Sequence, residues 1–176
     1  GFYYGCVYAP HFTIKNSEIT GIDGKSLLRG GIANIISSII SNGNIYDCEI
    51  NAIDSTINCT NYQSIDKHDF DKVSFVNSSF TCNWTNIQPI IATYIASKIN
   101  GTAPIPQETL RMDNCTTETT TNLFGSPTKL VIITKNIGDF NFNFAIPDTV
   151  KTIYTDNITN MNISGATIEH NNILYV

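Results

Sequence analysis

The chain has 176 residues, enough for one domain or two small ones, and a domain of that size buries roughly 70% of its unfolded surface without needing a metal or a disulfide to fold. Hydrophobic residues make up 41% and charged residues only 14%, against about 25% charge in an average domain; Asn, Thr, Ser and Ile fill the gap, a mixture too apolar for disorder and suited to short strands joined by Asn-rich turns. The net charge of −5 comes with no basic run, which argues against nucleic-acid binding, and no segment approaches the ~18 apolar residues of a membrane span.

Taken in order, Gly1-Phe2-Tyr3-Tyr4 reads as sequence from within a domain, so the chain is expected to be a piece or processed product of something longer. Residues 1–24 read as strands and turns, with Asp23-Gly24 a good turn pair. Ile32, Ile35, Ile36, Ile39 and Ile40 then fall on one face of a helix, which predicts a helix over about 31–41 closed by Asn42-Gly43. Such a stripe packs on a sheet or, with so few charges, joins an oligomer. Residues 44–86 return to short apolar pulses. Phe70, Phe75 and Phe80 are five apart, a step that belongs to neither helix nor strand and suits a chain that turns a corner every few residues. Pro89, Ile91, Tyr94, Ile95 and Lys98 predict a second helix over 88–99, and Ala103-Pro104-Ile105-Pro106 reads as a stiff extended link and an internal boundary.

Beyond that link the chain repeats itself. Pro106, Pro127 and Pro147 share one frame with Met112, Ile133, Ile153 and Ile173, and Gly125, Ala145 and Gly165 keep the same step of about 20 residues. A repeat of that length cannot bury its own apolar side and must stack on its neighbours. Phe140, Phe142 and Phe144 alternate as a strand. The expected architecture is therefore mainly β with a few short helices. It comprises an N-terminal strand-and-helix cap or assembly segment over 1–43, an irregular β-rich region over 44–103, and a solenoid, leucine-rich-repeat-like or β-helix-like, over 104–176.

Asn58-Cys59-Thr60-Asn61-Tyr62-Gln63-Ser64-Ile65 and Ile146-Pro147-Asp148-Thr149-Val150-Lys151-Thr152-Ile153 resemble segments of BspA-like leucine-rich repeats, with Asn114-Cys115-Thr116 a third fragment. The resemblance covers about 70 residues in broken form, and the "G-x-x-A-F" expected after such segments follows neither of the first two. It implies a curved solenoid with a surface, binding or scaffold role, as in bacterial surface proteins, adhesins and phage fibres.

Asp66, His68, Asp69 and Asp71 form the densest ionisable cluster. They read as a solvated turn or a Ca²⁺ site, or Asp66, Asp69 and Asp71 act with Glu108 as the carboxylates of a sugar hydrolase. Neither a P-loop nor G-x-S-x-G is present, the three histidines are scattered, and no C-x-x-C occurs, so no metal or cofactor is expected. Cys6, Cys48, Cys59, Cys82 and Cys115 are buried thiols or supply one or two disulfides. Tyr3, Tyr4, Tyr8, Trp84 and Tyr94 are candidates for a sugar-stacking or protein-binding surface, with core packing the alternative. Seven Asn-x-Ser/Thr sequons, at Asn58, Asn77, Asn83, Asn100, Asn114, Asn157 and Asn162, match a composition rich in those residues. The resulting expectation is a non-enzymatic structural or adhesive module, extracellular, at a cell surface or on a virion. It would be a homo-oligomer binding a protein or surface glycan, with no nucleic acid and no membrane insertion. The alternatives are a carbohydrate-active β-solenoid and a secreted or viral glycoprotein domain.

Overall fold

The computed structural model describes all residues except 1, 4, 5, 9, 64–71, 86–88, 105, 120, 125–126, 137, 139, 144–152, 156–160, 164–172 and 175–176. The described residues form strands, turns and bends and no helix. In chain order the strands are β1 (Phe2–Tyr3), β2 (Cys6–Tyr8), β3 (His11–Lys15), β4 (Glu18–Thr20), β5 (Ser26–Arg29), β6 (Ile32–Ile36), β7 (Ile39–Ser41), β8 (Asn44–Tyr46), β9 (Glu49–Ile53) and β10 (Thr56–Gln63). They continue as β11 (Lys72–Val76), β12 (Ser79–Thr85), β13 (Ile91–Ile95), β14 (Lys98–Pro104), β15 (Thr109–Asp113), β16 (Thr121–Phe124), β17 (Leu130–Thr134), β18 (Phe140–Asn143), β19 (Ile153–Thr155), β20 (Met161–Ile163) and β21 (Ile173–Leu174).

These strands stack as a parallel β-solenoid. Among the described residues every strand pairing is parallel except that of β1 with β2, which folds the first strand back antiparallel. One sheet has nine strands, from β3 through β6, β9, β11, β13, β15, β17 and β19 to β21. The other has twelve and is bent lengthwise: Thr56–Asn58 of β10 pair with β7, whereas Asn61–Gln63 pair with β8. The bend coincides with a bulge, an extra residue in β10 between Asn58 and Asn61 relative to β12. Each full coil thus shows three faces: a first face (β4, β7 and the starts of β10, β12 and β14), a second face beyond the bend, and a third face formed by the nine-stranded sheet.

The core is built from ladders, one side chain per coil. On the third face Ile14, Ile35, Ala52, Phe75, Tyr94, Met112 and Ile133 stack in register. On the first face Ile40, Ile57, Phe80 and Ile99 do the same. All of these are buried. Ala52 is the small member beside Phe75, which lets the Phe75 ring meet Phe80 at 4.7 Å and stack on Tyr94 at 5.8 Å. Each large side chain so buried contributes about 1.5–3 kcal/mol.

Both expected helices are strands. Over 31–41 the chain runs as β6, a corner at Ser37-Ser38, then β7. Ile35 and Ile40 point inward on two different faces, while Ile39 is 47% exposed. Ser37 sits at φ 47°, which ends any helix, and β-branched Ile favours the extended chain. Over 88–99 Pro89 precedes β13, Ala96 turns a corner at φ 48°, and β14 starts at Lys98. Asn42-Gly43 is a turn between β7 and β8 rather than a helix cap, and a Cβ on Gly43 would lie 3.1 Å from the Lys25 carbonyl oxygen.

The solenoid is also longer than the repeat suggested. It already runs through β3, β6 and β9, and the Ala103-Pro104 segment expected as a boundary is the end of β14, paired with β16. The Met112–Ile133 match holds. In the following coil Ile133 pairs with Thr155 and Val131 with Ile153, two residues from the expected match, an even shift that keeps the same side chains inward. Ile153–Ile173 holds, and Phe140 and Phe142 lie in β18 as expected, with Phe144 outside the described residues. Coil length varies because the connection from second to third face varies, from Tyr46–Glu49 in one coil to Gln63–Lys72 in the next.

Candidate functional site

The most regular feature outside the core is the corner between third and first faces. Each corner is two residues. The first adopts the left-handed conformation: Asn16 (φ 49°), Ser37 (47°), Asp54 (50°), Asn77 (47°), Ala96 (48°), Asn114 (54°) and Lys135 (53°). Asn and Asp tolerate this region best among residues with a side chain. The second residue is Ser17, Ser38, Ser55, Ser78, Ser97, Cys115 or Asn136, and from Ser38 onward it is buried.

The buried serines form a ladder. The Ser17, Ser38, Ser55 and Ser78 backbone N–H groups donate to the hydroxyl of the next coil's serine at 3.2, 3.1, 3.1 and 3.2 Å, over steps of 21, 17, 23 and 19 residues. Each hydroxyl in turn donates to the carbonyl two residues before it, as Ser38 does to Ile36 at 2.7 Å and Ser78 to Val76 at 2.8 Å. The corner amide, which no strand pairing reaches, is thereby satisfied inside the protein. In later coils Asn136 takes over: its Oδ1 accepts from the Cys115 N–H at 2.8 Å and its Nδ2 donates to the Met112 carbonyl at 3.2 Å. The sequence signal was present as an apolar residue, one residue, a turn former, Ser, one residue and an apolar residue. The five-residue step of Phe75 and Phe80 is the span across one such corner.

Outside the ladder the left-handed residues form an exposed ridge. Beside it runs an open groove of about 570 Å³, lined by Asp54, Asn77, Ala96, Lys98, Asn114 and Thr116, with Ser55, Ser78 and Ser97 below. Asn77 Nδ2 donates to Asp54 Oδ1 at 2.7 Å, which fixes both side chains along the ridge. Lys98 Nζ lies 2.5 Å from Glu118, so its charge is met by a carboxylate. The adjoining first face carries small polar side chains in register: Thr20, Ser41, Asn58, Thr81 and Asn100. Amides, hydroxyls and a carboxylate in an open cleft can donate to and accept from a ligand's hydroxyl or amide groups.

The residues singled out from the sequence fare differently. Asp66, His68, Asp69 and Asp71 lie outside the described residues, as does Tyr4. Tyr3, Tyr8 and Trp84 lie in β1, β2 and β12. Tyr94 is a correction: it is fully buried in the core ladder and offers no ring to a ligand, because its inward position on β13 places it against Phe75. Glu108 pairs with Lys129 at 2.5 Å. Cys59 and Cys82 form a disulfide between adjacent coils, while Cys48 and Cys115 are buried thiols. Burial raises the phenol pKa of Tyr62, whose hydroxyl donates to the Cys48 carbonyl, and of Tyr94, well above the usual tyrosine range, and pushes the Cys115 thiol up to about 11.

No protein-family model matches the chain, no curated protein matches it, and no solved structure matches it.

Proposed function

We propose that this chain is a non-enzymatic structural and adhesive module of a surface appendage, such as a phage fibre or decoration protein or a bacterial surface protein. It acts as a homo-oligomer that binds a protein or glycan partner. The observation that carries this reading is the long polar ridge with its open groove, in which hydrogen-bonding side chains recur in successive coils, interrupted at Ala96, on a rigid ladder. Regular, extended faces are what solenoids use for binding. The BspA-like segments of the sequence are consistent with the same role. The test is to apply the purified chain to a glycan array and to whole bacterial cells, alongside light scattering. Binding by an oligomer is the expected result, and a monodisperse monomer that binds neither would overturn the proposal.

A second reading, a secreted or viral glycoprotein domain, is favoured by one specific arrangement. The Cys59–Cys82 disulfide belongs to an oxidising compartment, and the sequon asparagines Asn58 and Asn83 adjoin its two cysteines and are exposed, as are Asn77 and Asn114. Mass spectrometry of native material decides it: glycan on these asparagines supports the glycoprotein, and bare asparagines with free Cys59 and Cys82 remove it.

A further inference from the structure

Between Asp54 and Asn114, one position on the corner ridge breaks its chemistry. Asp54, Asn77 and Asn114 are polar residues suited to the left-handed conformation, but the coil between Asn77 and Asn114 places Ala96 there at φ 48°. Alanine gains nothing from that conformation, since its Cβ crowds the following carbonyl and it has no polar atom with which to compensate. Neighbouring ridge side chains are one strand spacing apart, about 4.8 Å, and an amide at this site would reach its neighbour as Asn77 reaches Asp54 at 2.7 Å. The ridge would then be a continuous amide ladder. Ala96 leaves a gap in it instead, and the groove of about 570 Å³ runs past that gap, lined by Asp54 and Asn77 on one side and Asn114 and Thr116 on the other. Strain retained where it opens a cleft points to use of the cleft.

We infer that the notch at Ala96 is a subsite for a neutral sugar unit of a surface glycan, held through its hydroxyls by Asn77 and Asn114, which flank it. This rests on the glycan-binding form of the function proposed above and names its place and substrate class. The sugar is neutral because the cation of the groove, Lys98, is already matched by Glu118 at 2.5 Å, and because the two flanking amides offer both acceptors and donors, the mixture that hydroxyls need.

Two variants of the full chain separate the notch from the fold. Ala96→Asn supplies a residue that tolerates the conformation and fills the gap, whereas Ala96→Gly relieves the conformation and leaves the gap open. Both are expected to fold with a Tm at or above that of the parent. The probe is an array of neutral and uronic-acid oligosaccharides, followed by titration of the best neutral binder with amide shifts read at residues 77, 96, 97 and 114. Ala96→Asn is expected to weaken binding about tenfold or more, the loss of one or two hydrogen bonds to the ligand, and Ala96→Gly to leave it unchanged. Parent-like binding by Ala96→Asn, or a preference for uronic acids, overturns the subsite while leaving a glycan-binding module standing. Failure of the parent to bind any saccharide overturns both.

Discussion

Ser78→Ala tests whether the serine ladder holds the corner together. The hydroxyl accepts from the Ser55 N–H at 3.1 Å and donates to the Val76 carbonyl at 2.8 Å, and Ser78 is only 4% exposed. Alanine keeps the shape and removes both bonds. The Val76 carbonyl still accepts from the Asp54 N–H at 3.1 Å, so its loss is the smaller one. The Ser55 N–H is left facing a methyl group. A buried donor stranded in this way costs about 1–3 kcal/mol, and the second bond about 1 kcal/mol, for a total of about 2–4 kcal/mol. With a urea m-value of about 2–3 kcal/mol/M, the midpoint falls by about 1 M. Ser79→Ala, one residue further and half-exposed on the outer face, is the control and should move stability by less than about 0.5 kcal/mol. Urea titration followed by circular dichroism measures both. Equal midpoints for the two variants would refute the idea that the buried hydroxyls satisfy the corner amides.

Two more outcomes follow from the core. Reducing the Cys59–Cys82 bond, which spans 23 residues, should cost about 3 kcal/mol by releasing the loop it closes in the unfolded chain; denaturation with and without reductant checks this, and indistinguishable curves contradict it. The Cys115 thiol gives a pH effect. Burial raises its folded pKa to about 11, above the ~8.5 of an unfolded thiol. The unfolded chain therefore loses its proton first, so the contribution is constant below about pH 8.5 and stability falls as pH rises from there towards 11. At pH 10 the loss is about 1–2 kcal/mol. Cys115→Ala should flatten the pH 8–10 part of the stability profile, and an unchanged slope in that variant would assign the loss to other groups.

Local chemistry alone settled a good deal about this chain. Its Ile, Thr and Asn content made short strands and turns, and the spacing of Pro106 and Pro127 placed Met112 opposite Ile133 in the register that forms. The five-residue step of Phe75 and Phe80 was rightly read as the step of a chain that turns corners, and Asp54, Asn77 and Asn114 sit at corners because Asn and Asp accept the left-handed conformation. Stacking decided the rest. Ile32, Ile35, Ile36, Ile39 and Ile40 satisfy a helical spacing and a strand–corner–strand unit equally well, because both set apolar residues three to five apart; neighbouring coils that supply backbone partners to β6 and β7 select the second. Tyr94 became core instead of surface, and Cys59 found Cys82, because each depends on the residue one coil away, about 20 positions along the chain. Coil length ranges from 17 to 23 residues across the ladder steps, so no fixed sequence period could name those partners, and only the register of the folded sheets does.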